Sequence, residues 1–103
     1  MSERISLFLD KLEGNPENLL NRFSLAQAYF EDGDYDEAIV HLTICTNKRS
    51  DWMIASLLLG KALIESGQKK EACIPLRQTI VLARDQGHED PEQEAALLLA
   101  ECT

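Results

Sequence analysis

The fold is decided by residues 24–42, S-L-A-Q-A-Y-F-E-D-G-D-Y-D-E-A-I-V-H-L, because this stretch recurs 34 residues later. Its second copy is L-L-G-K-A-L-I-E-S-G-Q-K-K-E-A-C-I-P-L, over residues 58–76. In this alignment Gly33 falls on Gly67, and the small and large apolar residues keep phase. A fixed period of this length is typical of stacked helical or strand units, each of which buries a face against its neighbour.

Each copy has the apolar periodicity of an α-helical hairpin. Leu19, Phe23, Ala26 and Phe30 follow the i, i+3, i+4 spacing that places residues on one face of a helix. Gly33 falls where the first helix of the hairpin should end, since a left-handed C-terminal residue is usually glycine. The pattern predicts an all-α chain with helices near residues 3–13, 16–31, 35–48, 52–65, 69–85 and 91–102.

The helix starts are predicted from residues that can cap an N-terminus. Asn15, Asp51 and Asp90 each precede a proline or the tryptophan and are predicted to open a helix. Asp34, with a glutamate three residues later, forms a further capping pair. Pro75 has no amide hydrogen to donate inside the fifth helix, so we expect a kink or a late start there.

Composition and charge bound the possible functions. The chain has 103 residues, 45% of them hydrophobic, which suits one domain with a modest core. Its net charge of -8 opposes binding to nucleic acid or to an anionic membrane, and the basic pairs 48–49 and 69–70 are too short to form a patch. No signal peptide is visible, and no apolar run approaches the roughly 20 residues of a membrane span. We therefore expect a cytoplasmic protein.

The repeat resembles the tetratricopeptide repeat, whose 34-residue pattern is W-x2-L-G-x2-Y, then A-x3-F, then P. The matching residues are Leu25, Ala26, Tyr29, Ala38 and Leu42 in the first unit, and Leu59, Gly60, Leu63, Ala72 and Leu76 in the second. The family's tryptophan position holds Arg22 and Ser56, and its proline position holds Ser50 and Arg84. The resemblance implies a short right-handed α-solenoid of antiparallel helix hairpins with about six helices.

The whole chain fits one domain, residues 1–103, in this scheme. Residues 1–18 correspond to a half-repeat, 19–52 to the first repeat, 53–90 to the second, and 91–103 to a capping helix. Two complete units with a half unit at each end make about three, the number that such a stack needs to fold.

The resemblance also implies a concave groove lined by the first helix of each hairpin. Its positions correspond here to Leu20, Phe23, Ser24, Gln27, Phe30, Glu31, Ile54, Leu57, Leu58, Lys61, Ile64, Glu65, Leu97 and Leu98. Such an apolar lining usually marks a binding surface, and a peptide or helix of a partner protein is the expected occupant. Two alternatives stay open, a homodimer through the same face and plain core packing. Because Lys61 is the sole cation in this set, the clamp that some family members use for the acidic tails of chaperones is not expected.

No catalytic, cofactor or metal site is predicted. Asp32, Asp34 and Asp36 alternate like the start of a calcium loop, but its sixth and twelfth positions hold Glu37 and Thr43 instead of glycine and glutamate. An enzyme or a metal-dependent regulator is the least favoured hypothesis.

The remaining reactive residue types have structural interpretations. His41 and His88 have no cysteine or histidine at ligand spacing, and His41 is expected to have a structural role. Cys45 is expected to be packed and unreactive, whereas Cys102 is the thiol expected to oxidise most readily. Trp52 either staples the incoming chain to its hairpin, the interpretation favoured by its place after Asp51, or serves as an exposed binding anchor.

Overall fold

The computed structural model describes residues 2–102, which form six α-helices and no strand. The helices are α1 (Glu3–Gly14), α2 (Leu19–Glu31), α3 (Tyr35–Lys48), α4 (Met53–Glu65), α5 (Lys69–Gln86) and α6 (Glu89–Cys102). Consecutive helices pack against one another along the chain, and α4 also contacts both α2 and α6. The all-α fold of six helices is therefore confirmed, while the division into repeats stays a prediction from the sequence.

The turn inside each hairpin depends on a glycine. Gly33 and Gly67 follow α2 and α4 with φ of 82° and 84°, the left-handed region that residues with a Cβ rarely adopt. Asp34 then caps α3, because its Oδ1 accepts a hydrogen bond from the amide of Glu37 at 3.5 Å. Asp32 thus ends α2 and Asp34 caps the start of α3.

Three of the predicted helix starts are wrong. The helix α2 starts at Leu19 and not at Pro16, because the Oδ1 of Asn18 accepts from the amide of Asn21 at 2.9 Å and caps the helix there. At the start of α4 the cap position is Trp52 rather than Asp51, and its side chain makes no capping hydrogen bond. The helix α6 begins at Glu89, so Pro91 lies in its first turn, where amides have no partner within the helix anyway.

Of the two outcomes expected at Pro75, a kink or a late start of α5, the late start is wrong. This helix begins at Lys69 and runs through Pro75, which is buried. The hydroxyl of Thr79 donates to the carbonyl oxygen of Pro75 at 2.8 Å, so this buried polar side chain is satisfied within the helix.

The main core is one buried cluster to which all six helices contribute, from α1 to α6. Leu25, Leu42 and Leu76 are fully buried. Gly60 lets α4 pack closely against Leu76 of α5, because a Cβ built on this glycine would lie 2.5 Å from Cδ2 of Leu76. The leucine of α5 therefore occupies the space that a side chain on α4 would need.

Candidate functional site

The fourteen predicted groove positions lie on α2, α4 and α6, whose shared surface we call the first-helix face. Their spacing within α2 and within α4 places them on one side of each helix. Leu20, Ile54 and Leu97 are large apolar residues with exposed fractions of 64%, 56% and 72%. Each of the three helices thus carries one large apolar side chain that is exposed to solvent.

Other members of the set contribute to the core. Leu57 is only 8% exposed and belongs to the buried cluster, so it adds little to any surface. The half-buried residues packed against that cluster are Phe23, Phe30, Leu58, Ile64 and Leu98. Ser24 and Lys61 are half-buried as well, while Gln27, Glu31 and Glu65 are exposed. Some of the predicted positions therefore belong to the core or border it, and only the remaining ones are exposed to solvent.

Two ion pairs set the charge of the first-helix face. Lys61 Nζ of α4 lies 2.5 Å from Glu94 Oε2 of α6, and Arg4 of α1 pairs with Glu31 of α2. Lys61, the one cation of the predicted set, is therefore neutralised from within the chain. Glu65 and Glu101 have no ion-pair partner among the described residues, which leaves the edge of this face acidic.

An aromatic contact borders the same face where the two hairpins are linked. The Trp52 ring lies 5.0 Å from the Phe23 ring of α2, centroid to centroid, and the Arg49 guanidinium lies 4.6 Å from the Trp52 ring. Trp52 is half-buried, and this contact joins it to the preceding hairpin. Trp52 therefore holds the segment between α3 and α4 against α2 of the preceding hairpin. The expected staple would instead have held this segment against the hairpin that Trp52 opens.

Solved structures with the same arrangement of helices include two bacterial proteins. The solution structure of a Bordetella parapertussis protein has a TM-score of 0.82 and 24% sequence identity, and covers 99% of this chain and 89% of its own. The solution structure of a tetratricopeptide repeat domain protein from Salinibacter ruber has a TM-score of 0.74 and 20% identity, and covers 85% of this chain and 89% of its own. This chain has the tetratricopeptide-repeat fold. No protein-family profile and no curated protein matches the sequence.

Where the tetratricopeptide repeat usually has tryptophan, the predicted first repeat of this chain has Arg22. Its Nη1 lies 3.0 Å from Nδ1 of His41, and its Nη2 donates to the carbonyl oxygen of Pro16 at 3.2 Å. Because a guanidinium only donates, we assign the Nδ1 of His41 as the acceptor and place the proton of the neutral ring on Nε2. The ring also stacks on Tyr29, with centroids 5.9 Å apart. These contacts support the structural role expected for His41, although the sequence did not reveal its partner Arg22.

This environment disfavours the charged form of His41. Burial lowers its pKa below the ordinary value of 6.5, the charge of Arg22 lowers it further, and Glu37 opposes both effects. The unfolded chain therefore binds the proton more readily than the folded chain does, and the free energy of unfolding should fall as the pH drops through 6.5. We expect His41→Gln to reduce this fall between pH 7.5 and pH 5.5, as measured by urea unfolding.

The matched control for this prediction is His88→Gln, since the side chain of His88 is exposed. This variant should retain the pH dependence of the natural sequence over the same range. An unchanged pH dependence in His41→Gln would contradict the proton-linked role of the half-buried ring.

Burial also disfavours the charged forms of three other titratable groups, whose pKa values are raised. Burial raises the pKa of the fully buried Cys45 thiol to about 11, and the pKa of Tyr29 is raised by burial and then by Glu37 and Asp34. The pKa of the half-buried Cys102 thiol is raised as well, first by burial and then by the thiol of Cys73. Cys45 is packed as predicted, and neither Cys45 nor Cys102 has the lowered pKa of an activated thiol.

Among residues 2–102 there is neither a metal-binding cluster nor a membrane-spanning helix. Residues 2–102 contain no group of three histidine, cysteine, aspartate or glutamate side chains placed to hold a metal ion. Over these residues no helix combines the length and the apolar character needed to cross a membrane.

Proposed function

We propose that this protein is an interaction module whose first-helix face binds an amphipathic helix or peptide of a partner protein. The single observation that supports the proposal most is the exposure of Leu20, Ile54 and Leu97 on three adjacent helices. Exposed apolar side chains on adjacent helices are typical of docking surfaces, and an amphipathic helix can lay its apolar face against them.

The charge of the face favours a basic partner. The chain carries a net charge of -8, and Glu65 and Glu101 lie at the edge of the apolar residues without an ion-pair partner among the described residues. Lysine or arginine residues beside the apolar side of the bound segment would complement them and speed its association. The same acidic edge opposes a second copy of this chain, so an external partner fits this face better than a homodimer.

Binding rather than catalysis also agrees with the state of the titratable groups. Catalytic acids, bases and nucleophiles need pKa values tuned toward the working pH. Here the pKa of His41 is lowered by burial, and the pKa values of Cys45 and Tyr29 are raised by burial. Each of these changes makes the group less able to exchange a proton near neutral pH.

A charged residue at Ile54 should impair binding without unfolding the protein. We expect Ile54→Lys to weaken the binding of a synthetic helical peptide with leucines on one side and lysines on the other by at least about tenfold. The substitution removes an apolar contact and adds a repulsive charge, which together cost about 1.4 kcal/mol or more. Fluorescence anisotropy of the labelled peptide measures the change.

The matched control is Val40→Lys on α3. Val40 is 52% exposed, close to the 56% of Ile54, but it does not lie on the first-helix face. This variant should bind the peptide within about twofold of the natural sequence, since a similar exposed apolar residue is lost elsewhere. Equal weakening by both substitutions would mean that the peptide is attracted by overall charge and not by this face.

A further inference from the structure

The outer surface of α5 carries a stripe of exposed residues that no other helix covers. Ile74, at 75%, is the most exposed large apolar side chain of the described residues, and Val81 is 52% exposed one heptad later. Lys70, Gln78 and Asp85 are exposed on the same side, because they lie four residues before Ile74, four after it, and four after Val81. We call these residues, together with the adjacent exposed Arg77, the α5 stripe.

Ile74 and Val81 lie on the side of α5 opposite to its buried residues. Ala72, Leu76, Thr79 and Ala83 are fully buried on the opposite side of the helix. Within residues 2–102, α5 packs against α4 and α6 alone. Ile74 and Val81 therefore add little to the core and leave an apolar surface on α5 that a second helix can cover.

The stripe is complementary to itself when two copies of α5 run antiparallel. With a twofold axis between residues 77 and 78, Ile74 of each copy faces Val81 of the other. In the same register Lys70 faces Asp85 of the second copy at both ends of the helix pair. Neither Lys70 nor Asp85 has an ion-pair partner among the described residues of its own chain. Both the apolar and the charged members of the stripe are thus matched by one symmetry operation.

Arg77 and Gln78, which lie next to the twofold axis, are also compatible with this register. Arg77 of one copy faces Gln78 of the other, and a guanidinium can donate to an amide oxygen. The amide nitrogen of Gln78 already donates to the carbonyl oxygen of Ser50 at 3.3 Å, which leaves its Oε1 available as the acceptor.

We propose that the α5 stripe binds a second copy of this chain in an antiparallel, twofold-symmetric contact between the two α5 helices. A contact through one helix buries less than the roughly 1,200 Å² of a standard interface, so the dimer forms only at high protein concentration. Since α5 packs on α4 and α6 with its other side, the first-helix face stays open in both copies. Such a dimer presents two binding faces and would raise the avidity for a partner that carries two segments.

A charge-swap series tests the register directly. Sedimentation equilibrium up to about millimolar protein, near physiological salt so that the net charge is screened, gives the dimer dissociation constant. We expect Lys70→Asp and Asp85→Lys each to weaken the dimer by at least about fivefold, since each places like charges opposite one another. The double variant should restore the constant to within about twofold, because the pairs are re-formed with reversed signs.

Two apolar variants separate this contact from the first-helix face. Ile74→Lys should abolish the dimer, whereas Ile54→Lys should leave it intact. The proposal is overturned if the protein is monomeric at every concentration, or if the double charge swap does not restore the dimer. It is also overturned if Ile54→Lys removes the dimer and Ile74→Lys does not. Peptide binding by the monomer is measured separately at low protein concentration, so loss of the dimer does not affect the test of the first-helix face.

Discussion

Leu76→Ala is expected to lower the free energy of unfolding by about 3 kcal/mol. Leu76 is fully buried, and its side chain fills the space opposite Gly60 where α5 crosses α4. Shortening it removes apolar burial and leaves a cavity between two helices that have little freedom to close it. In a domain of this size the loss is a large part of a total that is typically 5–15 kcal/mol. Urea unfolding followed by circular dichroism gives the change.

The control for this prediction lies two residues earlier on the same helix. Ile74→Ala removes a similar volume from a side chain that is 75% exposed, so it should change the free energy of unfolding by less than about 0.5 kcal/mol. A comparable loss for both variants would mean that the crossing of α4 and α5 is not the centre of the core.

Gly60 allows a second check of the same crossing. Gly60→Ala should destabilise the natural sequence, because the new Cβ would lie 2.5 Å from Cδ2 of Leu76. In the Leu76→Ala background the same substitution has room and should be neutral or stabilising, since alanine is favoured over glycine in a helix by about 1 kcal/mol. Additive effects of the two changes would show that these residues do not contact each other.

Trp52→Ala is expected to lower the free energy of unfolding by about 2 kcal/mol. A buried tryptophan typically costs 3–5 kcal/mol when truncated to alanine, and Trp52 is half-buried. Its contact with the ring of Phe23 joins the link between hairpins to α2, and Arg49 adds a cation–π contact on the ring. Urea unfolding followed by circular dichroism is the suitable measurement, because the variant lacks the only tryptophan fluorophore.

Trp52→Phe serves as the matched control. It keeps an aromatic ring beside Phe23 and should recover at least half of the lost stability, since the ring contact is retained. Trp52→Ala with unchanged stability and lost peptide binding would instead support the other interpretation, that of an exposed binding anchor.

The helices were predictable because their signals are local. The periodic apolar residues and Gly33 and Gly67 fix where each hairpin runs and turns, and the structure places helices and left-handed glycines there. The errors at the starts of α2 and α6 have a local origin too. Several residues near each start can cap a helix, and the choice of Asn18 over Asn15 depends on which side-chain oxygen reaches a free amide.

The features that the sequence did not reveal join residues far apart in the chain. Nothing in the spacing pairs Lys61 with Glu94, or brings the ring of Trp52 onto Phe23. The burial of Leu57 was equally hidden, because a groove position is assigned by its place in the repeat and its exposure by the packing of neighbouring helices. The sequence therefore predicts a set of candidate positions, while their ion pairs and their exposure required the structure.

The most direct test of the proposed binding face is a nuclear magnetic resonance titration of the isotope-labelled protein with the leucine- and lysine-rich helical peptide. We expect the amide signals that shift to belong to α2, α4 and α6, with the largest changes near Leu20, Ile54 and Leu97. Signals of α3 and of the outer side of α5 should stay in place. Shifts confined to α3 and α5, or no shifts at peptide concentrations up to about a millimolar, the weak end of specific affinities, would contradict the proposed binding face.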